Sequence, residues 1–199
     1  MKLNNIQLDA LKELGNIGAG HAATALSQLI KREIHIQVPV SCVVKKEQII
    51  SSFPSKADFI AVEFMILGEI TGKNLFFIEM QEGFRLVDRI MGRADSPTAE
   101  LNDTVISTLQ EVGNILTANY LGSMGDMLNL LMIPSVPSLY SGKTDEIIRN
   151  SIEKDPQSSE EILIIKTNLV DAKMEFNPFF MLVPFENGMN MIFNKLGLV

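Results

Sequence analysis

The chain has 199 residues, 46% of them hydrophobic, with 17 basic against 24 acidic side chains and a formal net charge of −7. That is enough apolar material for a real core in one large domain or two small ones. The acidic balance excludes nucleic-acid binding through a basic face, no polybasic cluster addresses an anionic membrane, and no apolar run reaches the ~18 residues of a membrane helix. Cys42 is the sole cysteine, so no internal disulfide forms. With no apolar signal core near Met1, a reducing, cytoplasmic setting is expected.

Residues 4–31 read as a long helix. Ala10, Leu11, Leu14, Gly18, Ala22, Ala25 and Leu29 fall on one face, and Asp9, Glu13, Asn16, Gly20, Ser27 and Lys31 form a narrow polar ridge opposite. Gly15, Gly18 and Gly20 each cost a helix interior about 1 kcal/mol against Ala, so tight packing or a close visitor must offset them. Residues 34–44 predict a strand with Pro39 at an edge or bulge, and 45–53 a short helical connector closed by Pro54. Residues 57–68 and 74–80 predict a hairpin around Ile70-Thr71-Gly72-Lys73. Residues 81–91 predict an amphipathic helix ended by Gly92, and 93–100 a connector. The order then repeats: a second long helix from Asn102 to about Asp126, and a strand over 128–139 interrupted by Pro134 and Pro137. A short helix over 144–153 and a polar loop over 154–160 follow. A hairpin over 162–170 and 174–185 about Asp171-Ala172 leads to a closing helix over 187–196.

The repeat extends to individual residues. Asp9, Glu13, Gly15, Asn16, Ile17 and Pro39 align with Ser107, Glu111, Gly113, Asn114, Ile115 and Pro137 at a constant offset of 98, with seven identities over 31 positions. A period near 98 residues is too long for a solenoid unit. The expected architecture is an α/β (α+β) fold. It is a pseudo-two-fold duplicated domain over 1–199, with repeats of about 1–98 and 99–199. Its central sheet is mainly antiparallel, and the two long motif helices pack on it.

On a helix, Glu13 and Asn16 are neighbours at i and i+3, as are Glu111 and Asn114. A ridge that goes acid, amide, then nothing bulky suits insertion into another protein's cleft. Neither side chain is a strong nucleophile. An amide can hold and orient a water, and a carboxylate can pair with a lysine or accept a hydrogen bond. Such a pair suits hydrolysis of an already reactive bond, an acyl phosphate, on a partner that supplies the metal and electrophilic groups. Gly15-Asn16-Ile17-Gly18-Ala19-Gly20 lies inside a helical pattern and follows no strand, so it is not a dinucleotide fingerprint. Two isolated histidines, His21 and His35, make no metal site and read as structural. The methionines read mostly as core, with Met124, Met127 and Met132 as candidates to line a partner surface. Pro39 and Pro137 read as turn or edge devices. Ser107 opposite Asp9 excludes acid catalysis at that position.

The doubled [Asp/Ser]-x3-Glu-x2-Asn-x22-Pro pattern resembles the CheC/CheX/FliY phosphatases of chemotaxis, over essentially the whole chain. The resemblance implies that the motif helix docks on a phosphorylated CheY-like receiver. Asn16 and Asn114 would orient the attacking water, and Glu13 and Glu111 would pair with the receiver's lysine. The Mg²⁺ would sit on the receiver, with no cofactor held by this chain. Two complete motifs resemble the CheC branch, for which the deamidase CheD is a further partner, with the helix over 144–153 as its candidate surface. A non-catalytic receiver- or CheD-binding adaptor is the competing expectation, and a self-associating flagellar-switch domain a weaker one.

Overall fold

The computed structural model describes residues 5–53, 57–93, 97–171 and 174–197. Pro54, the Asp95-Ser96 part of the connector and Ala172 lie outside them. The first half runs α1 (Asn5–Ile30), β1 (His35–Lys45), a 3-10 segment (Lys46–Ser52), β2 (Asp58–Gly68), β3 (Gly72–Glu79) and α2 (Met80–Met91). The second runs α3 (Asp103–Leu128), β4 (Met132–Pro134), β5 (Ser138–Lys143) and α4 (Thr144–Ile148), which continues into a π-helical turn (Arg149–Glu153). Then come β6 (Glu161–Val170), β7 (Glu175–Phe176), β8 (Phe179–Pro184) and α5 (Gly188–Lys195). The helix ends follow capping chemistry. Asn102 caps α3 by accepting from the Val105 N–H at 3.1 Å, and Gly92 ends α2 at φ 68°.

Among the described residues, eight strands form one sheet in the order β1-β6-β8-β3-β2-β4, with β5 also on β2 and β7 on β6, and every ladder is antiparallel. The two halves exchange their edges: β1 pairs β6 of the second half, while β4 and β5 pair β2 of the first. The pseudo-dyad passes through the centre, where Phe76 of β3 faces Phe180 of β8 with ring centroids 5.5 Å apart.

Both faces of the sheet are covered, which is why its strands read as unbroken apolar runs rather than alternating ones. Ile60, Val62, Phe76, Ile165 and Phe180 meet the long helices α1 and α3 and the shorter α2 and α5. Phe59, Ala61, Phe77, Ile164 and Met181 meet the 3-10 segment and α4 on the other face. Two predicted strands are divided. Residues 128–139 become β4 and β5, because the chain bulges over Ser135-Val136-Pro137. The arm over 174–185 becomes β7 and β8, broken at Asn177-Pro178, where the Asn177 N–H donates to Glu82 while the Pro178 carbonyl still accepts from Thr167 of β6. Pro39 falls in the equivalent place to Pro137, where the β1 register shifts between Gln37 and Val40. Both prolines therefore sit at bulges on outer strands, where no ladder donor is lost.

A polar cluster lies between the sheet and α4. Lys73 bridges Asp155 at 2.6 Å and donates to the Ser151 carbonyl at 2.8 Å. Beside it, burial pushes the Glu63 carboxyl above its ordinary range, against the opposing pull of Lys73 and the Ser151 hydroxyl. The folded chain thus holds this proton more tightly than the unfolded one. Its contribution is fully present below the ordinary carboxylate pKa and is lost as pH rises through the folded value. Glu63→Gln is expected to become progressively more stable than the parent as pH rises above the ordinary carboxylate pKa, by urea denaturation. A difference that does not change with pH would contradict this assignment.

Candidate functional site

The two motif helices lie side by side on one face of the sheet. Their contact is close because Gly18 of α1 rests on Tyr120 of α3: a Cβ there would stand 2.8 Å from Tyr120 Cδ1 and 3.2 Å from its Cα. One turn on, His21 Nδ1 and Ser123 Oγ are 3.0 Å apart, which gives His21 its structural partner.

Each motif glycine faces the sheet. A Cβ on Gly15 would come within 3.2 Å of Val38 Cγ1, and one on Gly113 within 3.2 Å of Val62. The helices approach the strands through these two positions, and the next residue, Asn16 or Asn114, is thereby turned away from the sheet. Glu13, Asn16 and Glu111 are exposed, and Asn114 is partly exposed. Among the described residues, no hydrogen bond or ion pair ties any of these four side chains to the rest of the protein. Exposed amides and carboxylates without an internal partner are free to serve an external one. The structure therefore forms two separate outward pairs, Glu13 with Asn16 on α1 and Glu111 with Asn114 on α3.

Beyond each pair the ridge is low. Gly20 and Ala118 follow one turn after the asparagines and both are exposed, and nothing lies within 4 Å of a Cβ built on Gly20 or Gly122. Gly15 and Gly18 are thus explained by internal packing, whereas Gly20 is not. Gly20→Ala is expected to stabilise the chain by up to about 1 kcal/mol, through helix propensity alone, in a thermal or urea melt. A destabilised variant would mean that this position has an internal role.

The structure refines several expected positions. Leu29 is 44% exposed and Leu26 takes its place in the core, because the buried stripe runs Leu11, Leu14, Ala19, Ala22, Leu26. Ser27 leaves the ridge and accepts from the Ile34 N–H at 2.9 Å, closing the turn after α1. Of the three methionines considered for a partner surface, Met124 and Met132 are buried and only Met127 is open. Ser107 donates to the Asp103 carbonyl at 2.7 Å, within its own helix. The residues expected only as core include one polar anchor that the sequence did not reveal. Asn74 donates to Thr117 Oγ1 at 2.9 Å, fully inside, and pins α3 to β3 behind the second pair. A lone Asn in an otherwise apolar strand run was its only sign. Among the described residues no group of three or more His, Cys, Asp or Glu is arranged to hold a metal, and no helix is long and apolar enough to cross a membrane.

Known proteins resemble this chain in sequence and fold. The model of the CheC-like family matches residues 6–42 and 105–141, the two copies of the helix–strand motif. CheY-P phosphatase CheC of Bacillus subtilis is 28% identical over 196 residues, covering 96% of this chain and 94% of that protein. The crystal structure of Thermotoga maritima FliY aligns with a TM-score of 0.81 at 21% identity, over 100% of both chains. The CheX of a CheX–CheY–BeF3–Mg²⁺ complex from Borrelia burgdorferi aligns at 0.53 and 13% identity, over 87% of this chain and 97% of that one. The family model is thus matched at both copies of the repeat, and the likeness to the Bacillus subtilis protein runs the length of the chain.

Proposed function

We propose that this chain hydrolyses the aspartyl phosphate of a CheY-like receiver, one receiver at each motif helix. The observation that carries the reading is the pair of outward Glu–Asn ridges, each seated on a sheet-facing glycine and followed by a low surface. The CheY-P phosphatase activity in the name of the Bacillus subtilis relative supports it, as does the fold shared with a CheX solved in complex with CheY. In this reading the ridge enters the receiver's active-site cleft. Glu13 or Glu111 pairs with a receiver lysine, and the Asn16 or Asn114 amide orients a water in line with the phosphoryl group. The water oxygen bonds to phosphorus as the bond to the aspartyl oxygen breaks, which returns a free carboxylate and inorganic phosphate. The receiver supplies the Mg²⁺ that neutralises the phosphoryl oxygens. This chain supplies position, which is most of the barrier reduction available for so reactive a bond.

The exchange of edge strands between the halves supports a single working unit over 1–199, in which neither half would keep its sheet alone. Exposed Glu146, Arg149 and Asn150 make α4 and its π-helical turn the proposed surface for CheD.

Binding and chemistry separate by residue. Reversing both carboxylates, Glu13→Lys with Glu111→Lys, is expected to weaken binding to a beryllofluoride-activated receiver by at least about tenfold, as like charges then meet. The Asn16→Ala, Asn114→Ala protein should bind within a few-fold of the parent. Unchanged affinity after the charge reversal would remove the docking role from the two glutamates.

A further inference from the structure

On the opposite end of α1 from the motif residues lies a concavity of about 430 Å³ lined by Arg32, Arg85, Arg89 and Arg93, with Asp88, Gly92, Pro97 and Met174. Four of the chain's five arginines therefore converge on one hollow of a protein whose net charge is −7. They come from two places in the sequence. Arg85, Arg89 and Arg93 follow one line along α2 and its end, at successive steps of four residues, and Arg32 arrives from the turn after α1.

The arginines are not all committed internally. Arg89 is bound through Nε to Asp171, which is 6% exposed, and Arg85 stands 3.6 Å from Glu82. Asp88 is occupied by the Thr98 N–H at 2.9 Å and by the Thr98 hydroxyl. Among the described residues, Arg32 and Arg93 have no ion-pair partner, and both are exposed.

The duplication supplies an internal control. Lys31 and Asn129 occupy equivalent left-handed turns at φ 53° and 52°, and Gly92 and Gly197 both sit at φ 68°. Those anchors make Leu130, Asn190 and Asn194 the counterparts of Arg32, Arg85 and Arg89. At these three positions the second half carries no positive charge. The turns of this corner form without arginine in the second half, and Arg32 and Arg93 add positive charge that no acidic side chain meets among the described residues.

We propose that this hollow binds a small phosphate ester of the nucleotide class. Guanidinium groups recognise phosphoryl oxygens in bidentate fashion and stack on planar rings. The volume exceeds what a phosphate alone would fill, and Met174 and Pro97 give the remaining wall an apolar lining for a base or sugar. The site is independent of the Glu–Asn ridges, so it would add a ligand input to a protein that otherwise senses only its protein partner.

The test is calorimetric titration of the full chain with ADP and with inorganic pyrophosphate, at low ionic strength. ADP is expected to bind more tightly than pyrophosphate, and Arg32→Gln with Arg93→Gln is expected to weaken both by at least about tenfold. That variant leaves the buried Arg89–Asp171 pair intact, and its unliganded melting temperature should match the parent. The Asn16→Ala, Asn114→Ala protein should bind ADP as the parent does, which separates this site from the ridges. No binding of either probe at about 1 mM, or binding that the arginine variant leaves unchanged, would overturn the proposal.

Discussion

Replacing Asn16 and Asn114 together with alanine will return a phosphorylated receiver to its spontaneous rate of decay, while either change alone will leave acceleration through the other site. A single well-placed polar group aimed at the reacting centre is worth about 3 kcal/mol in the transition state, so each site should lose about a hundred-fold. Folding should be unaffected, because Asn16 is exposed, Asn114 partly so, and neither has an internal hydrogen bond among the described residues. The readout is receiver phosphorylation against time with each variant. The two sites need not contribute equally. Asn114 is less exposed than Asn16, and α3 is pinned from behind by the Asn74–Thr117 bond, for which the first half has Ala19 in place of the threonine. Full activity in the double variant would remove both amides from the mechanism.

The second large effect is on stability. Gly18→Leu places a side chain where even a Cβ would sit 2.8 Å from Tyr120 Cδ1 and 3.2 Å from the Tyr120 backbone. The ring can turn but the Cα cannot, so the helices must separate. Overpacking of this kind costs about 1–3 kcal/mol, and the helix-propensity gain of up to about 1 kcal/mol offsets only part of it. A net loss of up to about 2 kcal/mol in urea denaturation is expected. Because α1 and α3 share the contact, the proposed phosphatase activity of both ridges should fall with it. An unchanged denaturation midpoint would mean that the two helices are not held together here.

The helices and their outward faces were legible because amphipathic periodicity and the 98-residue offset are local signals. That offset carries through the long helices into the edge strands. It then slips, since Ile164 corresponds to Ala61 in the sheet and Phe180 to Phe76, offsets of 103 and 104. The second half takes a longer path between α4 and β6, and a simple self-alignment stops there. The exchange of β1 and β5 between halves was not legible, because antiparallel partners distant in sequence leave no local mark. Pro134 and Pro137 signalled an interrupted strand but not that β4 and β5 would share one partner across a bulge. Arg85 and Arg89 share one face of α2, and Arg93 follows its Gly92 cap. Their convergence with Arg32 needed the turn after α1 to be placed beside α2. Gly20 shows the same limit in reverse. Three glycines in one helix announced close approach, and only the structure separates the two that meet internal neighbours from the one that faces open space.

The account is tested most directly by the lifetime of a phosphorylated CheY-like receiver mixed with a small fraction of an equivalent of this protein. The expected result is decay faster than spontaneous, with many receivers dephosphorylated per chain and a rate proportional to the amount of protein added. Measurable binding to the activated receiver with an unchanged lifetime would contradict it, and would make the two ridges a docking surface without chemistry.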